Sequence, residues 1–302
     1  MESLAIHKLA DWGSCEVHVL REDLLPLACG GNKARISQKL VEDAKARGAD
    51  AVVGYGNCRS NLCRALAMLC AREGLRCTIV SPSDDGGARV DTTNSRIARL
   101  CGAEIVECEK GAGVANVVSG VLGRLSAEGR RPYYIFGDCR GVGNERVLSS
   151  AYEEVASGIC EWERGHGMAF DRVALAVGTG STYAGLVNGF RAQSRDVAVT
   201  GFTIARAKTA CMEALSRFTD LPVDIRDDAL SGGYGVASPE MLSFLAGAMA
   251  RHSVLFDQVY SGKALWGLNM LAQGGAFRGE RVLFVHTGSL PLAIDGLEAM
   301  RG

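Results

Sequence analysis

Arg172-Val173-Ala174-Leu175-Ala176-Val177, running into Gly178-Thr179-Gly180-Ser181-Thr182, is the stretch that decides the fold. An unbroken apolar run of this length, with no polar alternation, reads as a strand buried on both faces. It breaks on glycines and hydroxyl residues, and a helical pattern opens at about Tyr183. Strand, glycine-rich turn and helix make half of a parallel crossover unit, and ligands collect at such strand ends. The turn offers backbone N–H groups and hydroxyls at a helix N-terminus, which suits a phosphate. A turn that uses glycine for geometry alone is the other reading. The loop lacks GxxxxGK[ST], and Tyr183 stands where GxGxxG needs its last glycine, so a nucleotide is disfavoured.

The same unit repeats on both sides. Strands are expected at 15–20, 51–55, 77–81, 104–107, 133–136, 197–202 and 281–285. Helices are expected from the lysine segment below to Ala46, then at 62–72, 92–101, 114–127, 143–160, 206–218, 239–250 and 262–273. A short polar lead precedes Cys29, 82–91 reads as a glycine-rich loop and 220–238 as irregular. This alternation predicts an α/β fold with a mostly parallel sheet. Two lobes are expected, a smaller one over roughly 50–150 and a larger one joining 1–49 to 151–302.

The 302 residues are 47% hydrophobic and 22% charged, with formal net charge -1. That balance argues against nucleic-acid or membrane-surface partners, which need a strong basic field. No apolar run reaches membrane-spanning length. Residues 1–13 intersperse charges and lack the apolar core of a signal peptide, so a cytoplasmic location is expected. The 11 cysteines form no CxxC pair, and Cys58, Cys63, Cys70 and Cys77 read as buried free thiols. The five histidines come without HExxH or a carboxylate cluster, so no metal is expected.

Cys29-Gly30-Gly31-Asn32-Lys33-Ala34-Arg35 puts a lysine at a helix start, because Ile36, Leu40, Val41 and Ala44 recur at helical spacing. Paired glycines allow a close approach or a left-handed backbone. A plain surface lysine is the alternative, at the end of the helix dipole that suits it less. Two other strand ends carry small polar groups. Arg59-Ser60-Asn61 can cap a helix or hold a substrate carboxylate, and Thr287-Gly288-Ser289 can meet a ring nitrogen or cap a turn. A lysine among glycines plus a phosphate-suited loop is consistent with pyridoxal phosphate, and also with other phosphorylated ligands.

Taken together and in order, these segments resemble the pyridoxal-phosphate enzymes of the D-cysteine desulfhydrase and 1-aminocyclopropane-1-carboxylate deaminase family, of the tryptophan-synthase-β fold type. The resemblance runs from about Arg21 to Leu292. Its motifs are Arg21-Glu22-Asp23-Leu24 with Gly30-Gly31-Asn32-Lys33, then Arg59-Ser60-Asn61, the 178–186 loop, Asp257-Gln258-Val259-Tyr260-Ser261-Gly262-Lys263-Ala264, and His286-Thr287-Gly288. The resemblance implies fold type II, with two open, mostly parallel twisted sheets flanked by helices, pyridoxal 5'-phosphate as cofactor, and a homodimer. It implies that Lys33 carries the cofactor and moves protons at the substrate Cα. Asn32, Gly178, Thr179, Gly180, Ser181, Thr182 and Thr287 would hold the cofactor, Thr287 at its ring nitrogen. Arg59, Ser60, Asn61, Tyr260 and Ser261 would face the substrate, a small amino acid. Ser60 and Tyr260 would join Lys33 as catalytic groups.

The departures bear on the reaction. Arg59 stands where the family usually has glutamine, and Leu62 where it often has histidine or glutamine. Thr287-Gly288-Ser289 lacks the family's second glycine, and the lead before Arg21 is short. Ser261 replaces the glutamate of the deaminase branch, and a neutral hydroxyl favours protonation of the ring nitrogen less than a carboxylate does. That points away from ring-opening deamination and toward β-elimination or β-replacement, and the expected reaction is α,β-elimination on a cysteine-like substrate, giving pyruvate and ammonia. β-Replacement, a deaminase-like reaction and a catalytically degenerate binding protein are the alternatives.

Overall fold

The computed structural model describes residues 4–83, 91–111, 113–230 and 232–300. Most of the segment expected as a loop over 82–91 therefore lies outside the described residues. The strands are β1 (Ile6–Trp12), β2 (Cys15–Arg21), β3 (Ala51–Tyr55), β4 (Arg76–Pro82), β5 (Glu104–Cys108), β6 (Pro132–Tyr134), β7 (Arg172–Val177), β8 (Ala198–Thr203), β9 (Asp224–Arg226) and β10 (Arg281–His286). The helices are α1 (Asn32–Ala46), α2 (Asn61–Arg72), α3 (Thr93–Leu100), α4 (Val114–Ala127), α5 (Glu145–His166), α6 (Ser181–Ala192), α7 (Lys208–Leu215), α8 (Pro239–His252), α9 (Ser261–Gln273) and α10 (Leu290–Asp295). No described helix is long and apolar enough to cross a membrane.

The strands form two sheets, ordered β1-β2-β10-β7-β8-β9 and β5-β4-β3-β6. Every neighbouring pair is parallel except β1 with β2. The chain is thus α/β, with two mostly parallel sheets flanked by helices, as the strand–helix alternation predicts. It divides into two compact units. One comprises Met1–Leu25, Gly30–Asn32 and Ser149–Gly302 and holds the six-stranded sheet; the other comprises Pro26–Cys29 and Lys33–Leu148 and holds the four-stranded sheet.

In the six-stranded unit, β7 is buried along Val173–Val177, so its sequence needs no alternation. One core gathers Val17, Ala174, Phe202 and Phe284 from the strands with Leu245 of α8 and Leu265 of α9. Burying a side chain of this size contributes roughly 1.5–3 kcal/mol. α6 is seated through Gly185, where a methyl group would fall 2.3 Å from the Ser149 carbonyl oxygen of α5. In the four-stranded unit, α2 buries Leu62, Leu66 and Leu69, the face its periodicity marks. Cys63, Cys70 and Cys77 are buried free thiols, while Cys58 is half-buried.

Several elements depart from the sequence reading. The lead taken as polar contains β1, which buries Leu9 and Trp12; a register shift between Lys8 and Ala10 interrupts its alternation. β9 lies within the stretch read as irregular and buries only Ile225, too little pattern to mark a strand. α5 runs past Cys160 to His166, and β6 stops at Tyr134. α6 opens at Ser181, earlier than Tyr183, because Gly180 takes φ 100° as its N-cap. Gly185→Val should therefore lower stability by about 1–3 kcal/mol through overpacking against α5, measured as an earlier urea transition by circular dichroism.

Candidate active site

The segment that leads to Lys33 is fixed by its backbone. The Gly31 N–H donates to the Glu22 carbonyl at 2.7 Å, and the Asn32 N–H donates to the Thr287 carbonyl at 3.0 Å. Gly30 and Gly31 have φ of 71° and 87°. A methyl on Gly31 would fall 2.7 Å from the Thr287 oxygen, and one on Gly288 would fall 2.3 Å from the Gly31 Cα. Left-handed backbone and close approach therefore both require glycine here. The Asn32 amide donates to Thr182 Oγ1 at 2.8 Å. Lys33 follows in the first turn of α1. Burial pushes its amine down to about 8. Among the described residues no carboxylate pairs with it, so nothing offsets that desolvation.

Gly178 to Thr182 ends β7 and opens α6. The Gly180 N-cap provides no side-chain acceptor, and the first turn contains no acid. The first amides of a helix have no intrahelical partner, and the dipole there is positive. Ser181 and Thr182 add two buried hydroxyls. This donor set fits a phosphate group. Tyr260 lies beside this loop, its Cε1 at 3.6 Å from where a methyl on Gly178 would sit, an ordinary contact distance. β10 lies beside β7 in parallel register, which brings Thr287–Ser289 to the same sheet edge as 178–182.

Asp257 organises the tyrosine segment. Its carboxylate is fully buried and accepts from the N–H groups of Val259 (2.9 Å), Tyr260 (2.6 Å) and Ser261 (3.0 Å) and from the Ser261 hydroxyl (2.6 Å). Burial pushes this carboxyl above its ordinary value, and those four hydrogen bonds resist the shift. The proton of Ser261 is thereby committed to Asp257, so Ser261 can meet a further group only as an acceptor. Burial, and then Tyr234, raise the phenol of Tyr260 well above its usual range. Tyr234 and Tyr260 bring their hydroxyls to 3.1 Å with rings edge to face. His286 is buried and stacked on Phe256. It accepts from the Gly288 N–H at Nδ1 (3.2 Å) and donates from Nε2 to the Leu255 carbonyl (3.0 Å). Burial lowers its pKa, so the neutral ring braces the Thr287–Gly288 turn.

The four-stranded unit carries Arg59, Ser60 and Asn61 between β3 and α2. Ser60 caps α2, its Oγ accepting from the Cys63 N–H at 3.2 Å, and the hydroxyl keeps its own proton to give. Asn94 at the start of α3 braces this turn, donating to the Arg59 carbonyl (2.9 Å) and to Asn61 Oδ1 (3.1 Å). The Thr92 hydroxyl donates to the Cys58 carbonyl. Leu62 is buried.

The six-stranded unit therefore brings together Asn32, Gly178–Thr182, Tyr260, Ser261 and Thr287, and the four-stranded unit carries Lys33 and Arg59–Asn61. Sequence reasoning passed over Tyr234, Asn94 and the bracing roles of Asp257 and His286. Asp257 had a readable signal, an acid just before a helix start, as at a cap. Tyr234 lies among glycines with no periodicity and gave none.

Residues 4–288 match the family described as pyridoxal-phosphate dependent enzyme. The chain belongs to this family. It is 30% identical over 302 aligned residues to a D-cysteine desulfhydrase of Serratia proteamaculans (strain 568), covering 95% of this chain and 90% of that relative. It is 31% identical over 307 aligned residues to a 1-aminocyclopropane-1-carboxylate deaminase of Methylobacterium nodulans (strain LMG 21967 / CNCM I-2342 / ORS 2060), covering 94% and 89%. A solved structure of an ACC deaminase homologue superposes with TM-score 0.86 at 24% identity, covering 99% of this chain and 93% of that one, and supports the fold. The two sheets accord with fold type II.

The lowered pKa of Lys33 has a direct chemical consequence. In cofactor-free protein, reductive alkylation of Lys33, followed by peptide mass spectrometry, should rise with pH to a midpoint at about 8. An ordinary lysine reaches its midpoint at about 10.4.

Proposed function

We propose that this protein is a pyridoxal 5'-phosphate-dependent lyase that eliminates a β leaving group from a small, cysteine-like amino acid. For cysteine the balance is one amino acid and one water giving pyruvate, ammonia and hydrogen sulfide. The observation that carries the reading is the placement of Lys33 directly after the pinned Gly31–Asn32 backbone, in a chain whose residues 4–288 match the pyridoxal-phosphate family; burial, which lowers its amine to about 8, is in keeping with it. A lysine that is partly neutral near physiological pH is suited both to hold an aldehyde and to move a proton.

When bound, the cofactor supplies an electron sink for charge developing at the substrate Cα. Lys33 would hold it, and its amine would take the substrate Cα proton, which leaves with the sulfur leaving group. The amides and hydroxyls of Gly178, Thr179, Gly180, Ser181 and Thr182 hold the phosphate, and Asn32 steadies Thr182 from the side. Thr287 would meet the ring nitrogen. Ser60 and Asn61 would take the substrate carboxylate, with Ser60 able to relay a proton, and Arg59 would place a positive charge at that end, suited to a second anionic group on the substrate. Tyr260 would lie near the reacting carbons. Ser261 serves as an acceptor, because its proton already goes to Asp257.

Elimination is preferred because a serine occupies the position of the deaminase branch's glutamate, and because the relatives include D-cysteine desulfhydrases. A deaminase-like reaction is the second reading, favoured by relatives of that name at 31% identity. The proposal includes a homodimer working in the cytoplasm.

Purified protein with pyridoxal phosphate should absorb near ~410–430 nm, and Lys33→Ala should abolish that band. D-cysteine, L-cysteine, β-chloroalanine, cysteate and 1-aminocyclopropane-1-carboxylate would then be screened for keto acid. Pyruvate from a cysteine-like substrate supports elimination, and 2-oxobutyrate from the cyclopropane substrate supports the deaminase. A cofactor-loaded protein that releases no keto acid from any of them sinks both in favour of replacement or a binding role. Failure to take up the cofactor would falsify the reading as a whole.

A further inference from the structure

Lys263 is a buried cation that the reaction above leaves unused. It lies on the first turn of α9 with 0% exposure. Its ammonium donates to the carbonyls of Gly233 (2.6 Å), Leu230 (3.0 Å) and Ile204 (3.5 Å). Three N–H groups thus meet three oxygens. Among the described residues no carboxylate lies within ion-pair distance of it. Burial pushes the amine down to about 8, with Asp257 pulling the other way, so at neutral pH the charged, three-donor form prevails. Its neighbours along α9, Ala264 and Leu265, are buried in the apolar core, where a methionine would fill the same space without burying a charge.

What the ammonium holds is informative. Two of its three acceptors, Leu230 and Gly233, lie just before Tyr234 in the chain. Gly232, Gly233 and Gly235 sit at φ of 83°, 115° and 75°, and Tyr234 lies among them. A segment so rich in left-handed glycine has little rigidity of its own. Tyr234 is nonetheless aimed, its hydroxyl 3.1 Å from that of Tyr260. Tyr260 is the N-cap of α9, on the same turn as Lys263. One helix turn therefore carries a tyrosine together with the cation that holds that tyrosine's partner.

We propose that Lys263 is a positioning residue: by clasping the carbonyls of Leu230 and Gly233 it sets Tyr234 against the Tyr260 hydroxyl. The link to catalysis rests on the reading of Tyr260 as a site residue. The clasp itself does not, and it can be measured without turnover.

The test uses the cofactor-loaded protein and Lys263→Met, which keeps the volume and removes the donors. Backbone hydrogen exchange over 232–236, read by mass spectrometry, should quicken by about tenfold or more while β7 stays protected. Lys263→Gln, which keeps an N–H donor, should fall between the two and carries the test should the methionine variant not fold. Where keto acid forms, Lys263→Met and Tyr234→Phe should each lower kcat, and the double variant should be no slower than the slower single one. A general loss of stability would instead add to the Tyr234→Phe effect. Exchange over 232–236 within about twofold of wild type in a folded variant overturns the clasp, whether or not the elimination reading stands.

Discussion

The backbone of Gly31 lies against the backbone of Thr287 and Gly288 with no room for a β-carbon on either side. This contact joins the start of the chain to the end of its last strand. It also fixes the direction in which Asn32 enters α1, with its N–H on the Thr287 carbonyl and its side chain on Thr182. Three segments far apart in sequence, the lysine lead, the 178–182 loop and the 287–289 turn, are thereby held to one frame. Lys33 inherits that frame covalently. A lysine side chain has many rotamers, so its reach is useful only when the backbone beneath it does not move.

Around this frame, three charges placed inside the protein are met chiefly by backbone groups. Asp257 is surrounded by three backbone N–H groups and one hydroxyl. Lys263 is surrounded by three carbonyls. Arg64, almost fully buried, donates to the carbonyl of Ala28, in a turn where Ala28 and Cys29 both take left-handed φ. An unpaired buried polar group costs roughly 1–3 kcal/mol, and more when charged. Each of these ions therefore ties down the loop that supplies its partners. The loops so tied carry Tyr260, Tyr234 and the lead into Lys33, which is where positional accuracy matters for chemistry at a single carbon.

Much of the architecture was legible because α/β units write themselves strongly. The apolar run of β7, the Leu62–Leu66–Leu69 face of α2 and the Ile36–Leu40–Val41–Ala44 spacing of α1 each rest on local pattern, and each element forms where the pattern puts it. β1 and β9 were missed for the opposite reason. Each is an edge strand held by ladder hydrogen bonds, with few inward side chains to leave a trace. The candidate site was legible where it uses glycines, hydroxyls and the lysine, because those residues are unusual in their setting. Asn94 and Lys263 were not, because an asparagine at a helix start and a lysine on a helix have ordinary explanations until the fold shows what they touch.

The sequence by itself determined the fold class, the lysine and the glycine-rich strand ends, since these depend on spacing within a few residues. Only the tertiary structure decided what the glycines at 30, 31 and 288 are for. It also decided that Ser261 spends its proton on Asp257, and that Tyr234 pairs with Tyr260. These are facts about atoms brought within hydrogen-bond or van der Waals distance by residues far away in the chain. Burial, which lowers Lys33 and Lys263 to about 8 and raises Asp257, likewise belongs to the folded surroundings and not to the residue.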